Sequence, residues 1–177
     1  ASKNNSPSSL WYPPEMKVGH GFDMHRLEIG NRLLIGGVHI PWTHGLVGHS
    51  DADVLIHAVC DALLGAAGLG DLGLFFPDTE VRNKGRDSRE FLKIVGRKLD
   101  EKGFQVKNID CTLIAQEPRL AAYFVQMQFN IESDLLLPEG SVNVKAKSTE
   151  CLGATGRGVR LGRGGTGRMR GQWGGRG

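Results

Sequence analysis

His49-Ser-Asp-Ala-Asp-Val-Leu-Ile-His57 is followed by Ala58-Val-Cys-Asp61 and by an apolar segment rich in alanine, leucine and glycine. Asp51 and Asp53 are both candidate N-caps, because a short side-chain oxygen accepts a free backbone N–H at a helix start. On the helix that follows, His57 and Asp61 lie four residues apart and share a face. The pair indicates either a metal ligand oriented by a carboxylate or an ordinary polar pair, and this stretch alone leaves both interpretations open.

A second cluster, Gly19-His-Gly-Phe-Asp23-Met-His25, follows the short apolar lead Met16-Lys-Val. In a strand Asp23 and His25 point to the same side, because side chains alternate along extended backbone. Together with His57 they would form a set of two histidines and one carboxylate. Three protein ligands leave a fourth tetrahedral position open, as in catalytic zinc sites. Iron centres use the same ligand types, so the ligand set does not by itself identify the metal.

The length of 177 residues fits one domain with a substantial core. No apolar run approaches the ~20 residues that a membrane span requires. The three cysteines are far apart and include no Cys-x-x-Cys pair, which indicates free thiols in a reducing compartment. The net charge of +3 is local, because residues 153–177 hold six arginines and no acid, whereas the rest of the chain holds 16 basic and 19 acidic side chains.

Hydrophobic periodicity and turn residues predict an alternation of strands and helices. The predicted strands cover residues 16–26, 33–40, 109–116 and 142–147. The predicted helices cover residues 54–69, a segment that begins at the capping box Asp87-Ser-Arg-Glu90, and a segment opened by Pro118. This order indicates an α+β or α/β sandwich with helices over one sheet. Of the two we predict α+β, a two-layer sandwich of helices on one mixed β-sheet.

The two ends of the chain differ in composition from its body. Residues 1–15 lack periodicity and are predicted to be a flexible extension; their serine-rich, acid-poor composition fits the remnant of an organelle transit sequence and a neutral extension equally well. Residues 16–158 are predicted to form the folded domain. Residues 159–177 are predicted to be a disordered Gly/Arg-rich tail, because the eleven glycines in 153–177 each cost a helix ~1 kcal/mol relative to alanine.

Several motifs occur in a fixed order between residues 16 and 158. They are Gly-His-Gly-Phe-Asp23-Met-His25, Ile-Gly-Gly-Val-His-Ile-Pro41, His49-Ser-Asp-Ala-Asp-Val-Leu-Ile-His57, Gly70-Asp-Leu-Gly, Phe76-Pro-Asp-Thr, Asp87-Ser-Arg, Leu113-Ile-Ala-Gln-Glu-Pro118, Val142-Asn-Val-Lys-Ala, Thr149-Glu150 and Thr155-Gly-Arg157-Gly. This set closely resembles the 2-C-methyl-D-erythritol 2,4-cyclodiphosphate synthase family of the non-mevalonate isoprenoid pathway.

The resemblance implies a metal-dependent lyase that is a homotrimer with active sites between its subunits. The implied substrate is the small molecule 4-diphosphocytidyl-2-C-methyl-D-erythritol 2-phosphate, which is cyclised with release of CMP. Its own 2-phosphate attacks the β-phosphorus of the diphosphate, so the protein supplies mainly positioning and charge neutralisation. Neither a membrane nor a nucleic acid is expected as a partner.

The resemblance also implies roles for individual residues. The zinc ligands would be Asp23, His25 and His57, and Glu150 would hold a second cation, Mg²⁺ or Mn²⁺. His49 and Ser148 would stabilise the transition state, with Ser148 in place of a more usual threonine. The implied substrate-binding residues are Asp23, Met24, His25, His49, Ser50, Asp71, Leu72, Gly73, Phe76, Pro77, Asp78, Thr79, Glu80, Ala115, Gln116, Glu117, Pro118, Arg119, Leu120, Ala121, Lys147, Ser148, Thr149, Glu150, Ala154 and Arg157.

The chain departs from the family after Arg157, where the family continues into an apolar helix that packs on the sheet. We therefore expect part of the sheet face to be uncovered and the fold to be less stable than in its relatives. The alternative function is that of an inactive or truncated member whose Gly/Arg tail binds RNA, with Trp173 as its single aromatic platform. The predicted compartment is the plastid stroma, with a bacterial cytoplasm as the alternative.

Overall fold

The computed structural model describes residues 16–148 and 150 and the backbone of Gly167–Gly174. The strands are β1 (His20–Ile29), β2 (Leu33–Ile35), β3 (Val38–Ile40), β4 (His44–Val47), β5 (Ile109–Ile114), β6 (Val142–Lys147) and β7 (Gly167–Gly174). The helices are α1 (Val54–Ala66), α2 (Leu72–Phe75), α3 (Ser88–Glu101) and α4 (Phe124–Asp134), with short 3₁₀ turns at Val81–Asn83 and Ala121–Tyr123. Among the described helices, none combines the length and apolar composition needed to traverse a bilayer.

The main sheet has five strands in the order β4-β1-β7-β5-β6, and β2 and β3 form a separate hairpin. Strands β5 and β6 run parallel, whereas the other neighbours are antiparallel. Helix α1 packs on β1 and β7, α4 packs on β6, and α3 bridges α1 and α4. The core between them includes Leu55, Leu92 and Ile131, all fully buried. The mixed helix-and-strand fold is therefore confirmed.

The prediction of one continuous strand over residues 33–40 was wrong. The chain reverses at Gly36 and Gly37, whose φ angles are +59° and +69°, and β2 pairs back on β3. Two successive residues with positive φ are the signature of a two-residue hairpin turn, and glycine adopts this conformation without a steric penalty. The apolar residues on both sides of the turn look like one strand because hydrophobicity alone does not mark the reversal.

The helix boundaries follow the capping signals with two corrections. Asp53 caps α1 and Asp87 caps α3, and Asp87 accepts a hydrogen bond from Arg89 N at 2.8 Å. The capping box is only half formed, because the Glu90 carboxylate accepts from Arg86 Nε at 2.7 Å. The helix expected to begin at Pro118 starts later, after the 3₁₀ turn that leads into α4.

Strand β7 differs from the expectation of a disordered tail. The backbone of Gly167–Gly174 pairs antiparallel with β1 on one side and with β5 on the other. Without this strand, β1 and β5 would leave unpaired backbone N–H and C=O groups in the middle of the sheet, and these groups are strongly favoured to pair. A glycine contributes no side chain to the packing of a strand, but its backbone N–H and C=O groups can still form the hydrogen bonds of the sheet. The parts of the tail at 159–166 and 175–177 lie outside the described residues, as does the extension at 1–15.

Two glycines of the N-terminal segment allow β1 to lie directly against α1. A Cβ at Gly19 would lie 2.0 Å from the carbonyl oxygen of Ala62, and a Cβ at Gly21 would lie 1.8 Å from that of Ala58. Since side chains alternate along a strand, the same face of β1 carries Asp23 and His25 two and four residues later. The close contact therefore brings this face against the helix that carries His57.

Replacing Gly21 with alanine is expected to destabilise the fold by about 1–3 kcal/mol, because the overlap forces β1 and α1 apart. Gly65 provides a matched control, since it lies within α1 and an added Cβ would meet nothing within 4 Å. Gly65→Ala should raise stability by about 0.5–1 kcal/mol. Denaturant titration measures both changes, and an unchanged free energy of unfolding for Gly21→Ala would contradict the contact.

Candidate metal centre

Three donor atoms from β1 and α1 meet at one point. Asp23 Oδ2 lies 2.8 Å from His25 Nε2 and 3.0 Å from His57 Nδ1. The two ring nitrogens lie 3.3 Å apart. All three side chains are partly buried, and they form the group suited to hold a metal ion within the described residues. The convergence predicted from strand alternation and helix spacing is thus present in the fold.

The ring of His25 is oriented by the backbone. Its Nδ1 lies 2.8 Å from the carbonyl oxygen of Val47, at the end of the neighbouring strand β4. A carbonyl only accepts, so Nδ1 carries the hydrogen and donates it. This arrangement directs Nε2 toward Asp23 and His57, and a histidine that ligates a metal commonly has its other nitrogen held in this way.

The Asp23 carboxylate and the His25 imidazole of the metal group shift each other's pKa values. Burial opposes ionisation of Asp23, but hydrogen bonds with His25 and His57 outweigh burial and hold the pKa of Asp23 well below its usual range. Burial acts to lower the pKa of His25, but contact with Asp23 outweighs it and raises the pKa of His25 above its ordinary value. Asp23 is therefore already in the charged form that binds a metal, and binding would displace protons from the imidazole.

The donor set fits a divalent transition metal. Ligand atoms bound at about 2.0–2.1 Å in a tetrahedron lie roughly 3.3–3.4 Å from one another. The separations of 2.8, 3.0 and 3.3 Å in this group are close to that spacing. Two imidazoles and one carboxylate suit zinc, and they equally suit iron, so the donor set gives the class of metal and leaves its identity open.

Asp61 does not orient His57, and that interpretation of the four-residue spacing was wrong. Its carboxylate accepts a hydrogen bond from Leu72 N at 2.7 Å and so holds the chain that follows α1. Burial raises the pKa of Asp61, and its hydrogen bond to Leu72 only partly opposes this. A shared helix face places Asp61 and His57 near each other, but the Asp61 carboxylate accepts a hydrogen bond from the backbone N–H of Leu72 instead.

Ser50 lies beside the metal group, and His49 precedes it in the chain. Ser50 Oγ is 3.1 Å from His57 Nε2. His49 Nε2 is buried and has no hydrogen-bond partner among the described residues. A buried polar nitrogen without a partner is costly, which is expected where a ligand supplies the missing bond.

The loop implied to bind substrate follows α1. Asp71 caps the short helix α2 by accepting from Leu74 N at 2.9 Å. Phe76 stacks on Phe91 with ring centroids 4.3 Å apart, and Arg86 lies over both rings. The ring centroid of Phe91 lies 6.5 Å from that of His57, so Phe76 is linked to the metal group through Phe91. Leu72 is linked to α1 through Asp61. A substrate-binding role stays a prediction for Asp71, Leu72, Gly73, Phe76, Pro77, Asp78, Thr79 and Glu80.

A second group of implied substrate residues lies at the ends of β5 and β6. The parallel pair brings them together, and Ala115 N donates to the carbonyl oxygen of Lys147 at 3.1 Å. The Ser148 hydroxyl donates to the carboxylate of Glu150, and Glu150 has a positive φ of 49°. Strand β7 separates this part of the sheet from β1. Thr149, Ala154 and Arg157 lie outside the described residues.

Sequence reasoning missed Ser88, which contacts His57 on the side away from Asp23, and Asp51, which contacts Ser88. Ser88 Oγ lies 2.8 Å from His57 Nε2, and Asp51 accepts from both the hydroxyl and the backbone N–H of Ser88. Their positions in the sequence indicate candidate helix caps and family motifs but no role at the metal group. His57 and Ser88 are 31 positions apart, which leaves no periodic signal, so only the packing of α3 on α1 reveals the contact.

The fold and the site define a class of protein: a mixed helix-and-strand domain with one carboxylate and two imidazoles arranged to hold a metal ion. A sequence profile described as the YgbB family matches residues 16–162. The chain belongs to the YgbB family.

Individual relatives agree with the family profile. The 2-C-methyl-D-erythritol 2,4-cyclodiphosphate synthase of Nitrosomonas europaea is 55% identical over 144 residues, which cover 81% of this chain and 88% of that protein. A solved synthase of the same name with CDP bound has a TM-score of 0.75 at 32% identity, covering 89% of this chain and 98% of the other. The bifunctional IspDF of Campylobacter jejuni has a TM-score of 0.79 at 43% identity over 90% of this chain and 42% of its own.

Proposed function

We propose that this chain forms 2-C-methyl-D-erythritol 2,4-cyclodiphosphate and CMP from 4-diphosphocytidyl-2-C-methyl-D-erythritol 2-phosphate, in non-mevalonate isoprenoid biosynthesis. Membership of the YgbB family and the names of the similar proteins support this function. The observation that carries it is the meeting of the donor atoms of Asp23, His25 and His57. A site built this way suits phosphoryl chemistry that needs positioning and charge neutralisation and no protein nucleophile.

The reaction is an intramolecular displacement at phosphorus. An oxygen of the substrate's 2-phosphate forms a bond to the β-phosphorus of the diphosphate. The bond from that phosphorus to the oxygen shared with the α-phosphorus breaks, and CMP leaves with the bonding electron pair. When bound at Asp23, His25 and His57, a zinc ion supplies Lewis-acid polarisation of a phosphate oxygen.

Protein groups around the centre hold the phosphates during this step. The hydroxyl of Ser50 offers a hydrogen bond on the side of His57. His49, the preceding residue, offers its buried Nε2, which has no partner among the described residues. Donors directed at developing phosphoryl charge are the usual means of stabilising such a transition state. Ser148 offers a second hydroxyl, and the Glu150 carboxylate suits a hard cation such as Mg²⁺ or Mn²⁺.

The loop after α1 and the residues at the ends of β5 and β6 make the remaining contacts with the substrate. Asp71, Leu72 and Gly73 bind the methylerythritol hydroxyls, and residues 76–80 adjoin them. Residues 115–121 and 147–150 form the cytidine pocket, with Arg119 providing positive charge. The CDP complex of a similar synthase supports a nucleotide pocket in this fold.

We further propose that three copies assemble with active sites between them. The metal ligands on β1 and the site residues at the ends of β5 and β6 lie on parts of the sheet separated by β7, so a neighbouring copy can complete each site. Phe22 and Met24, on the face of β1 opposite Asp23 and His25, are 43% and 38% exposed. Apolar side chains grouped on a sheet face favour contact with another chain. The plastid stroma stays a sequence-based prediction of the compartment, with a bacterial cytoplasm as the alternative.

The test uses the full purified chain. We expect stoichiometric zinc by metal analysis, metal-dependent release of CMP from the substrate, and a trimer by mass in solution. Release of CMP that persists after complete removal of divalent metal would contradict the proposal. Salt-sensitive RNA binding that disappears with residues 159–177, in a protein without CMP release, would instead support the alternative function.

A further inference from the structure

The nitrogen of His57 that faces away from Asp23 is surrounded by hydroxyl groups. His57 Nε2 lies 2.8 Å from Ser88 Oγ and 3.1 Å from Ser50 Oγ. Ser88 is 0% exposed and is the first residue of α3. This contact joins α3 to the metal ligand on α1.

The carboxylate of Asp51 sets the direction of these hydrogen bonds. It accepts from the Ser88 hydroxyl through Oδ1 and from the Ser88 backbone N–H through Oδ2 at 2.9 Å. A hydroxyl has one hydrogen, and a carboxylate only accepts. Ser88 Oγ therefore gives its hydrogen to Asp51 and accepts from His57 Nε2. With its hydrogen on Nε2, a metal-bound His57 would offer the lone pair of Nδ1 to the ion that Asp23 and His25 also hold.

We propose that Asp51 and Ser88 are positioning residues that select the tautomer of His57 and fix its ring for metal binding. The inference rests on the metal centre of the proposed function. The two imidazoles are held in complementary ways: His25 offers Nε2 because Val47 O occupies its Nδ1, and His57 offers Nδ1 because Ser88 occupies its Nε2. Outer groups of this kind commonly change metal affinity 10–100-fold.

The backbone holds this arrangement independently of the two side chains. Asp51 N donates to Arg86 O at 3.1 Å, and Gly85 N donates to His49 O at 2.8 Å. These bonds fasten the segment before α1 to the segment before α3. Variants of Asp51 and Ser88 therefore keep the neighbouring backbone in place, and their effect on the metal is measurable in a folded protein.

The experiment compares Zn²⁺ affinity of the full chain with that of Asp51→Asn, which has nearly the same shape. In this variant the amide NH₂ group at position 51 would donate a hydrogen bond to Ser88 Oγ. The Ser88 hydroxyl could then donate its own hydrogen to His57 Nε2. A His57 that accepts at Nε2 carries its hydrogen on Nδ1, which is the tautomer that cannot bind the metal through Nδ1. Competition with a chromophoric chelator should show affinity weakened about 10–100-fold. Ser88→Ala should weaken affinity about 10-fold, since Ser50 Oγ still lies near Nε2.

Asp87→Asn is the matched control, because Asp87 is an exposed cap on the same helix start and asparagine caps equally well. Its Zn²⁺ affinity should equal that of the unchanged chain. Nitrogen-15 NMR of the zinc-bound protein should show the His57 Nε2–H hydrogen-bonded in the unchanged chain and the control, and this hydrogen bond lost in Asp51→Asn. Melting in chelator confirms that each variant is folded.

The outcomes separate this inference from the function on which it rests. If the unchanged chain binds no Zn²⁺, the metal centre itself is wrong and the inference falls with it. If the unchanged chain binds Zn²⁺ and Asp51→Asn binds within twofold of it with the same ring signature, only the roles of Asp51 and Ser88 are overturned.

Discussion

Exchange of Asp23 for asparagine is expected to lower kcat/KM for CMP release by about 10³-fold, and metal analysis should find the variant almost free of zinc. Asp23 is the one anionic donor among the three, and its Oδ2 lies within 3.0 Å of both imidazoles. Removing the charge weakens the hold on a divalent cation, whose charge stabilisation is worth several kcal/mol in such reactions. Each 1.36 kcal/mol corresponds to a tenfold change in rate.

Asp100→Asn is the control for this exchange, because Asp100 lies exposed on α3 and undergoes the same change of carboxylate to amide. Its activity and zinc content should match those of the unchanged chain. A melt in chelator tests whether Asp23→Asn folds, so that loss of activity is not confused with unfolding. Full zinc content together with full activity in Asp23→Asn would show that the metal centre lies elsewhere.

The metal ligands were predictable from sequence because each depends on a short-range rule. Alternation along a strand places Asp23 and His25 on one face. Asp53 then fixes where α1 begins, so the position of His57 one turn into the helix follows. The remaining step is the close packing of β1 on α1. It depends on Gly19 and Gly21, because a Cβ at either position would overlap the backbone of α1.

The features that were missed depend on contacts between distant segments. The turn at Gly36 and Gly37 lies within a run whose hydrophobicity continues across it, so periodicity predicts one strand where the chain makes two. Asp61 has the right spacing to reach His57 but accepts from Leu72 N instead. A residue's nearest neighbour on a helix face is thus only one of several competing hydrogen-bond partners.

The tail illustrates a different limit. Glycine content argues against a helix, because each glycine weakens a helix by ~1 kcal/mol, and the described segment Gly167–Gly174 is not helical. It does not exclude a strand at Gly167–Gly174, since partners on both sides supply hydrogen bonds to the backbone. Composition predicts what an isolated segment prefers, whereas a gap in a sheet between β1 and β5 is a property of the whole fold.

Removing the side chain of Asp53 is expected to lower the free energy of unfolding by about 3–5 kcal/mol. The carboxylate is fully buried and accepts four backbone hydrogen bonds. Gly36 N at 2.9 Å and Gly37 N at 2.6 Å come from the β2–β3 turn, and Leu55 N and Ile56 N, both at 3.1 Å, come from the first turn of α1. In Asp53→Ala these donors are left buried without partners, and each orphaned group costs about 1–3 kcal/mol.

Asp87→Ala separates this network from ordinary capping, because Asp87 is also an aspartate N-cap but is exposed and accepts one bond, from Arg89 N. Loss of an exposed cap should cost about 1 kcal/mol. Denaturant titration of the two variants measures the difference, and the two losses should differ by at least about 2 kcal/mol. The metal group should loosen with Asp53→Ala alone, because α1 carries His57 in the turn that Asp53 begins. Equal losses in the two variants would mean that water replaces Asp53 at the turn, and that the link between the hairpin and the helix does not hold α1 in place.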